Sequence, residues 1–137
     1  MTKERLKAYA AIKAEREQIR GLLEEVESRL YSAKVQQLTG MPSAASLGSG
    51  SAQERLADST MQLRDRYRAK LAELDAEQLA IEDAIEGLRS ARMRQLMRCK
   101  YIEGMTWEEV CVAISYGWTQ THRLHAKALQ QIRLPGE

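Results

Sequence analysis

Residues Thr106 to Arg133, which read TWEEVCVAISYGWTQTHRLHAKALQQIR, contain the most informative pattern in this chain. Thr106 and Glu109 have the spacing of a capping box, in which the Thr hydroxyl accepts from the N3 amide and the Glu carboxylate from the N-cap amide. This spacing predicts that a helix begins at Trp107. Ser115-Tyr116-Gly117 is predicted to be a short polar turn, and apolar residues flank it on both sides. These residues are Val110, Ile114, Leu124 and Leu129. The pattern indicates two short helices that meet across a turn containing glycine.

The composition and the apolar spacing of the remaining residues predict an all-α fold. The 137 residues include no Phe and only two Pro, while 29% of them are charged, a balance that favours long helices over a sheet. Between Leu6 and about Leu38 apolar residues recur every seven positions, for example at Ile12, Ile19 and Val26. A similar seam runs from Gln53 to about Ser90. We therefore expect a long antiparallel helical hairpin, coiled-coil-like, that buries both seams, and the alternative is pairing between chains.

Residues that typically end helices or form loops predict a division of the chain into two domains. The hairpin is expected to occupy residues 1–91, with a flexible loop at 40–51 where Gly and Ser are frequent. Residues 92–137 are expected to form a three-helix helix-turn-helix module. Its first helix should run from about Arg92 to Glu103 and close at Gly104 as the C′ residue.

The motif resembles region four of bacterial primary sigma factors, which binds a promoter element. The shared pattern is Thr-x-Glu-Glu followed by an apolar residue at 106–110, then the turn, and then Ala-Lys-Ala-Leu at 126–129. Trp118 and the string His122 to Leu129 are more similar to small sigma-like proteins of Gram-positive prophages, a group near the ArpU and RinA late-gene regulators. The motif covers about a fifth of the chain.

The resemblance implies that the second motif helix presents six side chains to DNA. They are Trp118, Thr119, Gln120, His122, Arg123 and Lys127. Arg can bond guanine and Gln adenine in bidentate pairs, while Lys127 is expected to meet phosphate or a protein partner. For Trp118 a packing role at the helix start is the preferred interpretation. Sigma factors commonly carry an Arg-Glu-Arg run where this chain has residues 118–120, so its DNA preference should differ from theirs.

The cysteines and histidines are types that can bind metal, but their positions argue against a zinc site. Cys99 and Cys111 fall inside predicted helices rather than in the short Cys-x-x-Cys knuckles that structural zinc favours. We interpret them as reduced core thiols. Since no nucleophile with an oxyanion hole and no phosphate-binding loop is indicated either, the chain is predicted to be no enzyme and to bind no metal or cofactor.

Basic residues are concentrated in the last third of the chain. Residues 92–137 carry seven basic and four acidic groups, although the whole chain has a net charge of only +2. Four of the basic side chains form a cluster that either touches DNA phosphate or is an ordinary solvated face. They are Arg92, Arg94, Arg98 and Lys100. The distribution fits a DNA-binding end joined to a nearly neutral remainder.

These features together lead us to expect a phage- or prophage-type, sequence-specific transcriptional regulator that activates late or packaging genes. Its expected partners are double-stranded promoter or operator DNA, RNA polymerase and a second copy bound through the hairpin. No apolar run approaches the roughly 20 residues that span a bilayer, so a cytoplasmic location is expected. One alternative is a small terminase-like subunit that recruits a DNA-packaging motor. The other is a helical adaptor that has lost DNA binding.

Overall fold

The computed structural model describes residues 2–38 and 50–136, and all regular structure within them is helical, which confirms the all-α prediction. A π-helical segment, Arg98–Ile102, continues the fourth of six α-helices in these residues. The α-helices are α1 Thr2–Lys7, α2 Tyr9–Leu38, α3 Gly50–Glu86, α4 Ala91–Met97, α5 Trp107–Ile114 and α6 Trp118–Gln131. The predicted loop at 40–51 lies outside the described residues, apart from its last two positions, which already belong to α3.

The chain divides into two compact units. The first contains residues 1–14 together with 74–137, and the second contains residues 15–73. The two units defined by contacts do not have the predicted boundary after residue 91. That boundary concerns which segments fold independently, and it stays a prediction. The motif therefore shares its unit with both the start of the chain and the end of α3.

The core of the first unit joins α1, α2 and α3 to the C-terminal helices. Leu6 and Tyr9 from the N-terminal segment are 0% and 2% exposed, and Ile81 of α3 is 0% exposed. They belong to one apolar cluster with Leu96, Met97, Val110, Ile114 and Ala128. Each fully buried Leu or Ile side chain contributes about 1.5–3 kcal/mol of transfer free energy. The N-terminal segment is therefore part of the support for the motif.

Polar contacts fix the N-terminal segment to α3. The Arg5 guanidinium donates to both Glu77 carboxylate oxygens at 2.9 Å and also to the Pro135 carbonyl at 2.7 Å. The hydrogen bond from Arg5 lowers the pKa of Glu77. Further along the chain, the Tyr9 hydroxyl donates to Glu82 and accepts from Gln78. A bidentate arginine pair orients both helices because its two bonds fix the plane of the guanidinium.

The second unit consists of parts of α2 and α3 that lie side by side. Glu15 pairs with Lys70 at 3.8 Å and Glu27 with Arg68 at 2.9 Å, an order that antiparallel helices produce. Leu23 and Val26 of the predicted seam are buried, at 9% and 4% exposure. The seam is therefore buried in part, while the hairpin as a folding unit stays a prediction.

The helix ends near the motif follow local sequence signals. α3 ends at Glu86, directly before Gly87, and the Ser90 hydroxyl then accepts from the Met93 amide as the N-cap of α4. The predicted helix over 92–103 is correct in extent but not in type, because its last turn is π-helical and the Glu103 amide bonds the Arg98 carbonyl. Gly104 has φ +70°, the left-handed conformation expected of a C′ residue.

Candidate nucleic-acid interface

The first helix of the motif begins where the capping signal predicts, with Thr106 as the N-cap of α5. The Thr106 hydroxyl accepts from the Glu109 amide at 3.3 Å. The reciprocal half of the predicted box differs, because the Glu109 carboxylate accepts from the Thr106 hydroxyl at 3.1 Å rather than from its amide. A hydroxyl can accept and donate at once, so one side chain satisfies both partners.

The turn between α5 and α6 has the predicted extent, Ser115 to Gly117. Ser115 is its left-handed residue, with φ 60°, whereas Gly117 is extended and serves as the N-cap of α6. A left-handed non-glycine residue costs roughly 1–2 kcal/mol, so this turn needs support from elsewhere.

Two side chains of α4 supply that support. The Arg92 guanidinium donates to the Ile114 carbonyl and lies 4.9 Å from the ring centroid of Tyr116. The Gln95 amide donates to the Ala113 carbonyl at 3.2 Å. Both contacts satisfy carbonyl groups that the last turn of a helix leaves without intrahelical partners. Arg92 therefore positions the turn, a role that sequence reasoning missed because it assigned Arg92 to the basic cluster.

One face of α6 is anchored in the core. Thr121, His125 and Ala128 are buried and follow the four- and three-residue spacing of a single helical face. The His125 Nε2 lies 2.6 Å from the hydroxyl oxygen of Tyr101 in the π-helical segment. Burial lowers the pKa of His125 to about 4, with the positive charge of Lys3 adding to the effect, and burial raises the pKa of Tyr101. Both groups are therefore neutral at pH 7, and the imidazole tautomer decides whether the tyrosine hydroxyl or Nε2 donates the proton.

The opposite face of α6 carries the residues predicted to contact DNA. Thr119, Gln120, Arg123 and Lys127 are all exposed, and no residue of α6 is acidic. Neither Arg123 nor Lys127 forms an ion pair with any described residue. Positions 120, 123 and 127 are three and four apart, so their side chains project from one stripe of the helix. These four predicted residues thus form one cationic, hydrogen-bonding surface.

Trp118 and His122, the other two predicted residues, belong to an aromatic stack. The His122 ring lies between the indoles of Trp107 and Trp118, with centroid distances of 4.4 Å and 4.5 Å. Its Nε2 is buried and has no hydrogen-bond partner among the described residues, so this atom does not reach a base edge in the present arrangement. Trp118 is 54% exposed, so it packs on His122 and still presents an indole face to solvent. Trp107 joins α5 to α6, a packing role that the sequence analysis did not assign.

The four side chains of the basic cluster are engaged within the protein. Arg94 donates to the Leu88 and Arg89 carbonyls, and Arg98 pairs with Glu86. Lys100 donates to the Met105 carbonyl and lies over the Trp107 ring. Together with the contacts of Arg92, these bonds give every member of the cluster a partner within the module, whereas the cations of α6 pair with no carboxylate in the described ranges.

The two cysteines are free thiols, and only Cys99 lies in the core, where both were predicted to lie. Cys99 is buried and Cys111 is half-buried. Burial raises the pKa of Cys99, and the nearby negative charge of Glu103 raises it further, so the thiol is protonated at neutral pH. A protonated, buried thiol is a poor nucleophile and a poor metal ligand, which fits a packing role.

Comparisons with protein-family models, with curated proteins and with solved structures find no significant match. Among the described residues, none of the helices has the length and apolar character needed to cross a membrane. The functional assignment therefore depends on the chemistry of the residues themselves.

Proposed function

We propose that the chain is a sequence-specific DNA-binding transcriptional regulator that reads the major groove with α6. The observation that carries the proposal is the exposed face of α6, where Gln120, Arg123 and Lys127 are solvent-accessible and the helix itself holds no carboxylate to repel a phosphate backbone. Arg and Gln are the side chains best suited to bidentate contacts with guanine and adenine. The resemblance to sigma region four adds the expectation of a phage- or prophage-type activator of late or packaging genes, one that contacts RNA polymerase and has no catalytic step.

The packing beneath α6 supports this role because direct readout needs a rigid helix. Thr121, His125 and Ala128 anchor the inner face, and the aromatic stack holds the first turn against α5. The turn before α6 is held by Arg92. Because the backbone of such a helix is already ordered, base contacts cost the rotamer entropy of the side chains but little backbone entropy.

The proposal is tested by selecting binding sites for the full chain from a library of random duplexes. The wild-type protein should enrich a defined sequence that differs from standard sigma targets. A Gln120→Ala/Arg123→Ala double variant should lose the enrichment with unchanged helical content, because both side chains are exposed. A matched Gln62→Ala/Arg66→Ala variant, altered at exposed positions of α3, should still enrich the wild-type sequence. If the wild type enriches no sequence, the helical adaptor is the better description.

A second candidate function, a small terminase-like packaging subunit, is favoured by exposed apolar side chains in the second unit. Tyr31, Leu56 and Met61 are 70%, 69% and 43% exposed, and association between copies would remove such large side chains from water. Terminase-like subunits would form rings, whereas the regulator is expected to be a monomer or dimer. Light scattering at several concentrations distinguishes the two, and a closed ring of many copies would favour packaging.

A further inference from the structure

An open cleft of about 440 Å³ lies in the first unit, between α1 and the segment that leads into α5. Three of its nine lining residues are lysines, Lys3, Lys7 and Lys100, and none of the nine is acidic. The far wall is formed by Gly104, Met105 and the indole of Trp107. Sequence reasoning missed this grouping because Lys3 and Lys100 are almost a hundred residues apart.

The three ammonium groups are not neutralised by a salt bridge. None of them forms an ion pair with a described residue, and the contacts of Lys100 are the neutral Met105 carbonyl at 3.3 Å and the Trp107 ring at 4.8 Å. Their combined field is felt nearby, because all three lysines contribute, after burial, to the lowered pKa of His125. Three like charges around one cleft repel each other, and an anion between them would remove that repulsion.

The cleft is connected to α6 through Trp107. Trp107, which lines the cleft, is the first residue of α5 and packs against His122 and His125 of α6. In helix-turn-helix proteins the first motif helix crosses the DNA backbone while the second enters the groove. We propose that the lysine cleft binds a phosphate group of the DNA backbone beside the groove that α6 reads. This inference rests on the proposed function.

The chemistry of lysine suits a phosphate group in this cleft. Lysine ammonium groups are compact point charges that contact phosphate oxygens without a fixed geometry, and the oxygens of one phosphate can meet several of them. The N-terminal helix α1 would then add a contact outside the motif. Such a contact fixes the register of the protein on the duplex and carries no sequence information.

The experiment compares the salt dependence of binding to the selected duplex for the wild type and for Lys3→Gln/Lys7→Gln/Lys100→Gln. The slope of log K against log salt should fall by about 0.9 for each phosphate that the variant no longer neutralises, so a fall of about one is expected. The ratio of affinities for the selected and a scrambled duplex should not change. Arg29→Gln/Lys34→Gln/Arg66→Gln, which alters three exposed cations of the second unit, is the control for the equal change in net charge. A triple Lys→Arg variant, which keeps the charge, should restore the wild-type slope.

A separate titration keeps this inference distinguishable from the proposed function. With Trp118→Phe, Trp107 is the only remaining indole, and its fluorescence should change on adding inorganic phosphate. The three Lys→Gln substitutions in the same background should abolish the change. If the slope of the lysine-cleft variant equals that of the three-site control while DNA still binds, the backbone contact is wrong, even if phosphate changes the fluorescence. If the wild type binds no DNA, the proposed function and the backbone contact both fail, whereas a lysine-dependent phosphate response would still identify an anion site.

Discussion

The Tyr101 hydroxyl oxygen and the His125 Nε2 lie 2.6 Å apart inside the core, where they satisfy each other's hydrogen bond. The contact joins the π-helical segment to the buried face of α6. Burying either polar group alone would be unfavourable, but together they form a specific hydrogen bond that holds α6 against the π-helical segment.

Removing this hydroxyl should destabilise the first unit. Tyr101→Phe leaves the buried Nε2 of His125 without its hydrogen-bond partner, so the free energy of unfolding should fall by about 1–3 kcal/mol. Tyr116→Phe is the control, because the Tyr116 hydroxyl has no hydrogen-bond partner among the described residues. Urea unfolding followed by circular dichroism measures both variants. Equal stabilities would mean that the Tyr101–His125 bond contributes nothing.

The same histidine should make stability depend on pH. Its pKa is about 4 in the folded protein and 6.5 in the unfolded chain, so the unfolded state takes up a proton first as the pH falls. The free energy of unfolding should therefore be highest above pH 6.5 and should fall between pH 6.5 and about 4. The fall due to His125 is at most on the order of 3 kcal/mol. Unfolding free energies measured at intervals across this range should show the loss for the wild type. His125→Gln should show a flatter profile above pH 4.5, where the Glu77 carboxylate does not yet contribute. A wild-type profile that is flat over the same range would show that His125 is not buried as a neutral group.

The N-cap of α5 makes a smaller contribution. Thr106→Ala should lower the free energy of unfolding by about 1 kcal/mol, since the Glu109 amide loses its acceptor. Thr106→Ser keeps the hydroxyl and should stay within a few tenths of a kcal/mol of the wild type. Thermal unfolding of the wild type, Thr106→Ala and Thr106→Ser under the same conditions measures these differences in stability. No difference between Ala and Ser would place the helix start elsewhere and undermine the alignment of the motif.

The parts of the motif that the sequence predicts correctly are those that depend on neighbouring residues. Thr106, Gly104 and the turn at 115–117 act through their own backbone or mainly through partners at most five residues away, so their spacing is visible in the chain. The bond from Arg92 to Ile114 spans 22 residues, and nothing in the local pattern indicates it. His122 has a side chain suited to base contacts, yet the two indoles around it decide where its Nε2 lies.

The long helices show the same limit on a larger scale. The seven-residue rhythm correctly predicts two long helices, because each apolar stripe is a local property of its helix. It does not predict that Leu6 and Tyr9 enter the core that also holds Val110 and Ile114. That choice depends on which apolar faces are complementary in three dimensions, and the rhythm carries no such information.

The buried seam of α3 is tested by a pair of matched substitutions. Leu74 is 6% exposed and Leu79, five residues further along the same helix, is 57% exposed. Leu74→Asp should unfold or dissociate the N-terminal helices, because an unpaired carboxylate would be buried among apolar groups. Leu79→Asp should leave helicity and solution mass unchanged. Identical behaviour of the two variants would contradict the hairpin prediction.

Substitutions of Arg123 and Lys127 distinguish a protein that recognises DNA sequence from one with a similar fold that has lost this function. Both are exposed on one stripe of α6, but Arg123 is predicted to face a base edge and Lys127 a phosphate. Arg123→Ala should therefore relax preference at one base position at a cost of about 1–3 kcal/mol. Lys127→Ala should weaken binding to all sequences alike and make the slope of the salt dependence shallower by about one. Titrating each variant with the selected and a scrambled duplex at two salt concentrations gives both quantities. If Arg123→Ala leaves the ratio of the two affinities at its wild-type value, α6 does not read bases through this residue, and the adaptor becomes the stronger interpretation.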